Sequence, residues 1–561
     1  MKFSYCVIAK DEELTLPRLV ASLKDFQKAG GVCCLLDTGS TDTTVQIARD
    51  AGWIVEEAGD KFLHVIDKDF AAKINEQFIV AGEDPCVKEG DTYFDFASAR
   101  NACADLSPTD MVSMADADEI MTTLNYEHIN TLIEHGAVQF KYNFVFSHKE
   151  DGSAGIEFEQ SKFYDRRKMK WVGIVHEYLH GETVQTFLPN EVFRLEHFQI
   201  PHDRHSYLKG LAVDCFEHPD KDRNSHYFAR ELMYAGRPAS AIKEFDRHTG
   251  LNGWLPEQMQ SHIYIGDCYG VLNNEESQIA NYFRAFEGDP SRRIGLLRLA
   301  WVAFAKKEWQ KVICYAKAAL EIPWNAAYMN NRADYEDVPH SLLYQAYGWL
   351  GNIPEAQKHI LKALEYQPYN AKYLEDTKYY FSYKYPNIDG WMTFDELLYL
   401  YELGSSYENI VEVGSWKGRS THALLSGGAH ITAIDTWQGS DDENDLTNDL
   451  AKKEDIFEVF KKNVEGVGNL TAIKTTSEDA AQAFEEKSID VVFIDALHTY
   501  EGVKKDIALW KDKAYFIICG HDWTDSWPGV KKAVRELLGE PHEVHGSIWV
   551  FYTNELNNEN N

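Results

Sequence analysis

Strand-like and helical runs alternate at both ends of this chain, whereas from about Asn224 to Asn370 only amphipathic helical patterns remain. At the amino end, Phe3 to Ala9, Val32 to Leu36 and Trp53 to Glu57 read as strands. Helices are expected over Leu14 to Lys28 and Thr43 to Ala51 between them. Strand–helix–strand order implies a parallel sheet covered by helices, with binding loops at the strand ends. After Pro386-Asn387-Ile388-Asp389-Gly390 the alternation resumes: Ile410 to Val413, a helix from Arg419, Ile431 to Ile434, Thr471 to Ile473, Val491 to Ile494 and Phe516 to Cys519. The pattern is that of a multidomain α/β chain with an all-α segment between two doubly wound domains. The expected boundaries are 1–222, 223–385 and 386–554, with a polar, frayed tail at 555–561.

The central segment repeats. Tyr344 to Ala356, followed by Leu361-Lys362-Ala363-Leu364 and Pro368, resembles a tetratricopeptide repeat, with Gly351 at the turn and Ala356 and Ala363 where helices approach. Weaker copies run from Tyr227 through Ala241, from Ile263 to Pro290, and from Leu296 to Pro323, about four in all. Trp324 to Val338 is an insertion without repeat character. Such repeats serve as a rigid spacer or as a docking surface for a protein partner.

The 561 residues carry a formal net charge of −33, which disfavours binding to a nucleic-acid backbone or an anionic membrane. No apolar run reaches the roughly 18 residues of a membrane span. Nine cysteines without C-x-x-C spacing suggest neither a zinc knuckle nor a disulfide framework, so a reducing, cytoplasmic setting is expected.

Met114-Ala115-Asp116-Ala117-Asp118-Glu119 places two carboxylates one residue apart at an expected strand end, where they can hold a hard cation that grips a diphosphate. Together with Val7-Ile8-Ala9-Lys10-Asp11-Glu12-Glu13, Asp37-Thr38-Gly39-Ser40-Thr41-Asp42 and Phe96-Ala97-Ser98-Ala99-Arg100-Asn101, it resembles a family 2 glycosyltransferase of the GT-A fold. The resemblance implies a nucleotide-sugar donor, a manganese or magnesium ion and a glycan acceptor. It assigns Asp11 and Asp37 to the nucleoside, Arg100 to phosphate, Asp116 to metal or ribose, and Asp118 to metal. Trp171-Val172-Gly173-Ile174-Val175-His176-Glu177 resembles the family's later motif, in which His176 completes the metal shell and Glu177 is the base of an inverting transfer. His197, His202 and His205 lack a metal-ligand period and read as surface or packing residues.

Residues 392–553 resemble a class I S-adenosylmethionine-dependent methyltransferase, a Rossmann-like fold, near the macrocin O-methyltransferase branch. Glu412-x-Gly414-x-x-x-Gly418 matches the first cofactor motif, and Asp435 stands where an acid holds the ribose. Asp495-Ala496-Leu497-His498 and Gly520-His521-Asp522-Trp523 resemble the branch's later motifs. Those imply Asp495 and Asp522 as ligands of a magnesium ion, Asp495 also beside the cofactor, and His498 as base. His521 stands where the resemblance implies a carboxylate, so a metal-free variant with His498 acting alone is also open.

The combined expectation is a bifunctional glycan-assembly enzyme that adds a sugar and O-methylates a sugar hydroxyl. Two alternatives are a protein glycosyltransferase whose repeats grip a polypeptide, and a repeat scaffold with one decayed catalytic domain.

Overall fold

The computed structural model describes residues 1–148, 154–182, 184–198, 207–251, 253–325, 329–440 and 447–553. His202, His205 and the tail 555–561 lie outside them. The chain forms two compact units, one of Met1–Pro290 with Ala327–Met329 and one of Ser291–Ala326 with Asn330–Asn561. The helical segment is thus divided after Pro290 between the two.

In the first unit the strands Ile54–Glu57, Val32–Asp37, Phe3–Ala9 and Met111–Ala115 lie side by side and parallel, as the amino-terminal pattern leads one to expect. The sheet then continues through a mixed set of strands that the alternation does not announce: Ala154–Asp165 is antiparallel to Met111–Ala115 and to Gln139–His148, Phe193–His197 runs parallel to Gln139–His148, and Glu119–Leu124 is antiparallel to Phe193–His197. Phe3, Tyr5, Val7, Leu35, Phe140, Phe163 and Phe193 fill the core under one face. The helix expected over Leu14 to Lys28 is two, Leu16–Ser22 and Lys24–Lys28, broken at Leu23. Helices Tyr207–Glu217, Asp222–Tyr234, Pro238–Thr249 and Leu255–Val271 follow. Leu211, Phe228, Phe245 and Ile265 from these pack with Ile74 and Phe78 of helix Lys68–Phe78 in a second core.

The second unit holds a seven-stranded sheet in the order Asn469–Lys474, His430–Asp435, Asn409–Val413, Ile489–Ile494, Ala514–Gly520, Ile548–Tyr552 and Glu543–His545. The first five are parallel and Ile548–Tyr552 is antiparallel. Strand order reverses between Asn409–Val413 and Ile489–Ile494, and ligands of open parallel sheets bind at such a switch point. Helices Asp337–Trp349 and Ile353–Tyr366 form an antiparallel pair, with Gly351 at φ +75 in the turn and Ala356 and Ala363 fully buried. Their residues Tyr344, Ile360 and Leu364 share one core with Phe394, Leu397 and Leu400 of helix Phe394–Ser406. The stretch Trp324 to Val338 includes a short 3-10 turn, Arg332–Tyr335, and the start of the following helix. Among the described residues no helix is long and apolar enough to cross a membrane, and all nine cysteines are free thiols.

Candidate functional sites

In the first unit Asp116 follows strand Met111–Ala115 into an ionic cluster in which Asp116 itself is partly exposed and Arg100, Lys162, Glu119 and Glu177 are largely buried. Its two oxygens meet Arg100 Nη2 at 2.7 Å and Lys162 Nζ at 2.9 Å. Arg100 also donates through Nε to Glu177 at 2.6 Å, and Lys162 to Glu119 at 2.8 Å. Burial alone would raise the Asp116 carboxyl; the two cations outweigh it and hold it well below the usual range. Arg100 sits on the inner face of helix Phe96–Asp105 with its guanidinium over Trp171. It is only 6% exposed, and Nη1 is buried with no hydrogen-bond partner.

Asp118 is engaged elsewhere: its Oδ2 lies 2.9 Å from His197 Nε2, while His197 Nδ1 lies 3.2 Å from the Phe146 carbonyl. With an acceptor at each nitrogen, the ring is best satisfied as an imidazolium, and the Asp118 contact raises its pKa. His197 is therefore a partner of the acidic motif rather than a surface or packing residue. His176, at φ +55, lays its ring on Tyr227 with centroids 4.2 Å apart. Asp116, Asp118 and His176 do not form a group of converging ligand atoms among the described residues, because Arg100, Lys162 and His197 already occupy the carboxylates. Glu177 is tied to Arg100. Asp11 Oδ1 accepts from Thr41 N at 2.6 Å, and Asp37 accepts from Gly39 N and Ser40 N, both at 3.1 Å, so these two acids brace neighbouring loops.

In the second unit the turn after strand Asn409–Val413 is built by Gly414 at φ +89. A Cβ there would stand 2.0 Å from the Asp495 carbonyl, so only glycine lets the two strand ends meet. Gly418, at φ +87, starts helix Arg419–Gly427. Ser415 N and Trp416 N each donate to Asp435 Oδ2 at 2.8 Å, and Trp437 N donates to Oδ1 at 2.6 Å. Glu412 lies beneath the turn, fully buried, and does not line the cavity above it. It accepts from Ser415 Oγ at 2.7 Å and from Thr421, and burial pushes its carboxyl up to about 7. Its place is that of a brace for the turn rather than a cofactor contact.

Asp495 and Asp522 end the neighbouring strands Ile489–Ile494 and Ala514–Gly520, so adjacent parallel strands deliver them to one place. His498 Nε2 lies 3.0 Å from Asp522 and 3.7 Å from Asp495, and ligand atoms of the three residues lie within 4.8 Å of one another. Two carboxylates at that spacing fit a divalent cation, with the imidazole beside them placed as a further ligand or as a base. Burial opposes charge on His498, yet the two carboxylates win and raise its pKa to about 10. His521 Nδ1 stands 3.4 Å from Asp522 and 3.6 Å from Asp495, and its Nε2 faces Glu396 at 3.4 Å. Glu396 had no place in the motif reading. It is the inner residue of a capping box with Thr393, a signature that marks a helix start but not its nearness to a site. One cavity of about 1040 Å³ is lined by Gly414 and Asp435 on one side and by Asp495, His498 and Asp522 on the other. Its volume suits an adenosine-bearing cofactor together with an acceptor, and the glycine cradle and the acid at Asp435 fit S-adenosylmethionine.

No curated protein sequence matches the chain. Solved structures similar to part of it include MamA, at 16% identity over 32% of this chain and 87% of that one, with a TM-score of 0.24. YrrB, described as a TPR protein with an unusual peptide-binding site, is 14% identical over 30% and 80%, with a TM-score of 0.25. PilW, described as a type IV pilus biogenesis factor, is 15% identical over 30% and 73%, with a TM-score of 0.25. The profile of a methyltransferase-domain family matches residues 411–522, and this part of the chain is a methyltransferase domain.

Proposed function

We propose that the second unit methylates a sugar hydroxyl with S-adenosylmethionine, in a chain that also carries a glycosyl-transfer site. The observation that supports methyl transfer is the single cavity that joins Gly414 and Asp435 to the Asp495, His498 and Asp522 cluster. Two groups come from outside the chain: S-adenosylmethionine would supply an electrophilic methyl group, and a divalent cation held by Asp495 and Asp522 would polarise the acceptor oxygen. The chain's own residues do the rest. Asp435 orients the ribose, and the Gly414 turn lets backbone approach the cofactor. With the carboxylates unneutralised, His498 keeps its proton at neutral pH. Were their charge neutralised, the imidazole would lose that proton and Nε2 could accept the proton of the acceptor hydroxyl. The experiment is calorimetric titration of S-adenosylmethionine into the full chain and into Asp435→Ala, followed by methyl transfer to oligosaccharide and to peptide acceptors. Equal binding by the two proteins would overturn the cofactor assignment, and transfer to peptides alone would overturn the sugar.

The glycosyl-transfer reading is favoured by Arg100 Nη1, a buried cationic donor without a hydrogen-bond partner beside the acidic motif. A nucleoside diphosphate would give it one. In this reading Asp11 and Asp37 shape the nucleoside loops, and no step runs through a metal. Titration with nucleoside diphosphates tests it: Arg100→Ala should weaken binding, and no binding by the unaltered chain would end the reading.

A further inference from the structure

A second cluster, made of residues that neither candidate site uses, lies among the helices of the first unit. Asp222 opens helix Asp222–Tyr234, His248 lies in the last turn of helix Pro238–Thr249, and Glu257 lies in the first turn of helix Leu255–Val271. Three helix ends thus bring a carboxylate, an imidazole and a second carboxylate together, with one ligand atom from each inside a 4.8 Å circle. Ligands about 2.1 Å from a tetrahedral zinc ion stand about 3.4 Å apart, so small rotamer adjustments close the group around an ion.

The imidazole supplies an independent sign. His248 is fully buried, and its Nδ1 lies 2.9 Å from Ser261 Oγ. Its Nε2 is buried and has no hydrogen-bond partner. Leaving such a nitrogen unsatisfied costs about 1–3 kcal/mol, and a metal bond removes that cost. Ser261 Oγ also lies 2.9 Å from His226 Nδ1, so the hydroxyl is fixed from two sides. An Nδ1–H donated to Ser261 leaves the Nε2 lone pair for the metal, the outer-sphere arrangement that sets the tautomer of metal-bound histidines. Gly253 completes the fit: a Cβ there would stand 2.5 Å from Asp222 Oδ2, so the chain leaves room for that carboxylate. Arg223 Nη1 lies 3.8 Å from Glu257, and its side chain, about half exposed, packs over the Tyr227 ring.

We propose that Asp222, His248 and Glu257 bind a zinc ion that clips these three helix ends together, with water at the fourth position. The imidazole selects a transition ion over magnesium or calcium, and the carboxylates without thiolates suit zinc over copper(I). The site is structural, because all three ligands sit on helix ends that the ion ties together.

The test uses the untagged full chain carrying Asp495→Asn and Asp522→Asn, so that the cluster in the second unit does not compete. After chelator treatment, calorimetric titration with zinc should show one ion per chain and a raised melting temperature. His248→Gln should abolish that binding, and Ser261→Ala should weaken it by about tenfold. If His248→Gln fails to fold, Asp222→Asn, at a partly exposed helix start, carries the same expectation. Absence of zinc uptake by the parent chain, or equal uptake by folded His248→Gln or Asp222→Asn, overturns the proposal.

Discussion

Replacing Glu412 with glutamine should make the second unit more stable at neutral pH and leave it unchanged in acid. The carboxyl is fully buried, with hydroxyl donors from Ser415 and Thr421 and no cation in contact, and Oε1 has no hydrogen-bond partner. Burial raises its pKa from 4.5 to about 7. Because the folded value lies above the unfolded one, stability is full below pH 4.5 and falls as pH rises toward 7 and beyond. At 1.36 kcal/mol per unit, the loss reaches about 3 kcal/mol once the group is ionised in both states. Glutamine is nearly isosteric with the protonated acid and does not titrate. The advantage of Glu412→Gln should therefore grow between pH 4.5 and 7 and level off above, less the cost of rearranging two hydroxyl bonds. Hydrogen exchange of the segment 410–425 in urea, corrected for intrinsic rates at each pH, reads local opening without assuming that the whole chain unfolds in one step. Parallel pH profiles for the two proteins would refute the reasoning, since they would mean that the native carboxyl titrates as it does in the unfolded chain.

Other outcomes follow from separate features. His498→Ala should suppress methyl transfer while leaving S-adenosylmethionine affinity within about twofold, because the side chain faces the two acids rather than the Gly414 turn; radiolabel transfer and calorimetry separate the two effects. His340 and His359, with Nδ1 atoms 2.9 Å apart, are held neutral by burial, each with its pKa lowered from 6.5 to about 4. Their stabilisation is present above pH 6.5 and is lost as pH falls toward 4, by up to about 3 kcal/mol for the first ring protonated; exchange in helices Asp337–Trp349 and Ile353–Tyr366 should rise over that window. Gly414→Ala adds a Cβ 2.0 Å from the Asp495 carbonyl at a left-handed φ, and should cost more than about 2 kcal/mol by urea unfolding and abolish cofactor binding.

Much of the second unit could be read directly from residue order, because its central strands Asn409–Val413, His430–Asp435 and Ile489–Ile494 are short runs buried on both faces and its first turn must be glycine-rich. Asp435, Asp495, His498 and Asp522 reach one cavity for a local reason: each ends a strand of the same parallel sheet or follows directly from one. Glu396 was invisible because its contact with His521 spans 125 residues of chain. In the first unit the parallel half of the sheet was legible, whereas its mixed half was hidden by long strands with mixed polarity such as Gln139–His148. His197 escaped notice because its link to Asp118 is made across neighbouring strands of that half, not by a sequence period. The ion pairs of Asp116 and Asp118 with Arg100, Lys162 and His197 are not legible in the acidic motif, because their partners come from a helix and two strands distant in sequence.

Tyr344, Ile360 and Leu364 share their core with Phe394, Leu397 and Leu400, so the last helical pair is inherited with the methyltransferase sheet. A gene rearrangement that joined or removed this domain at Pro386 would expose that apolar layer to water, and the product would aggregate. An exchange near Ser291 would carry the layer intact. The viable seam for recombination, natural or engineered, therefore lies inside the repeats rather than after them.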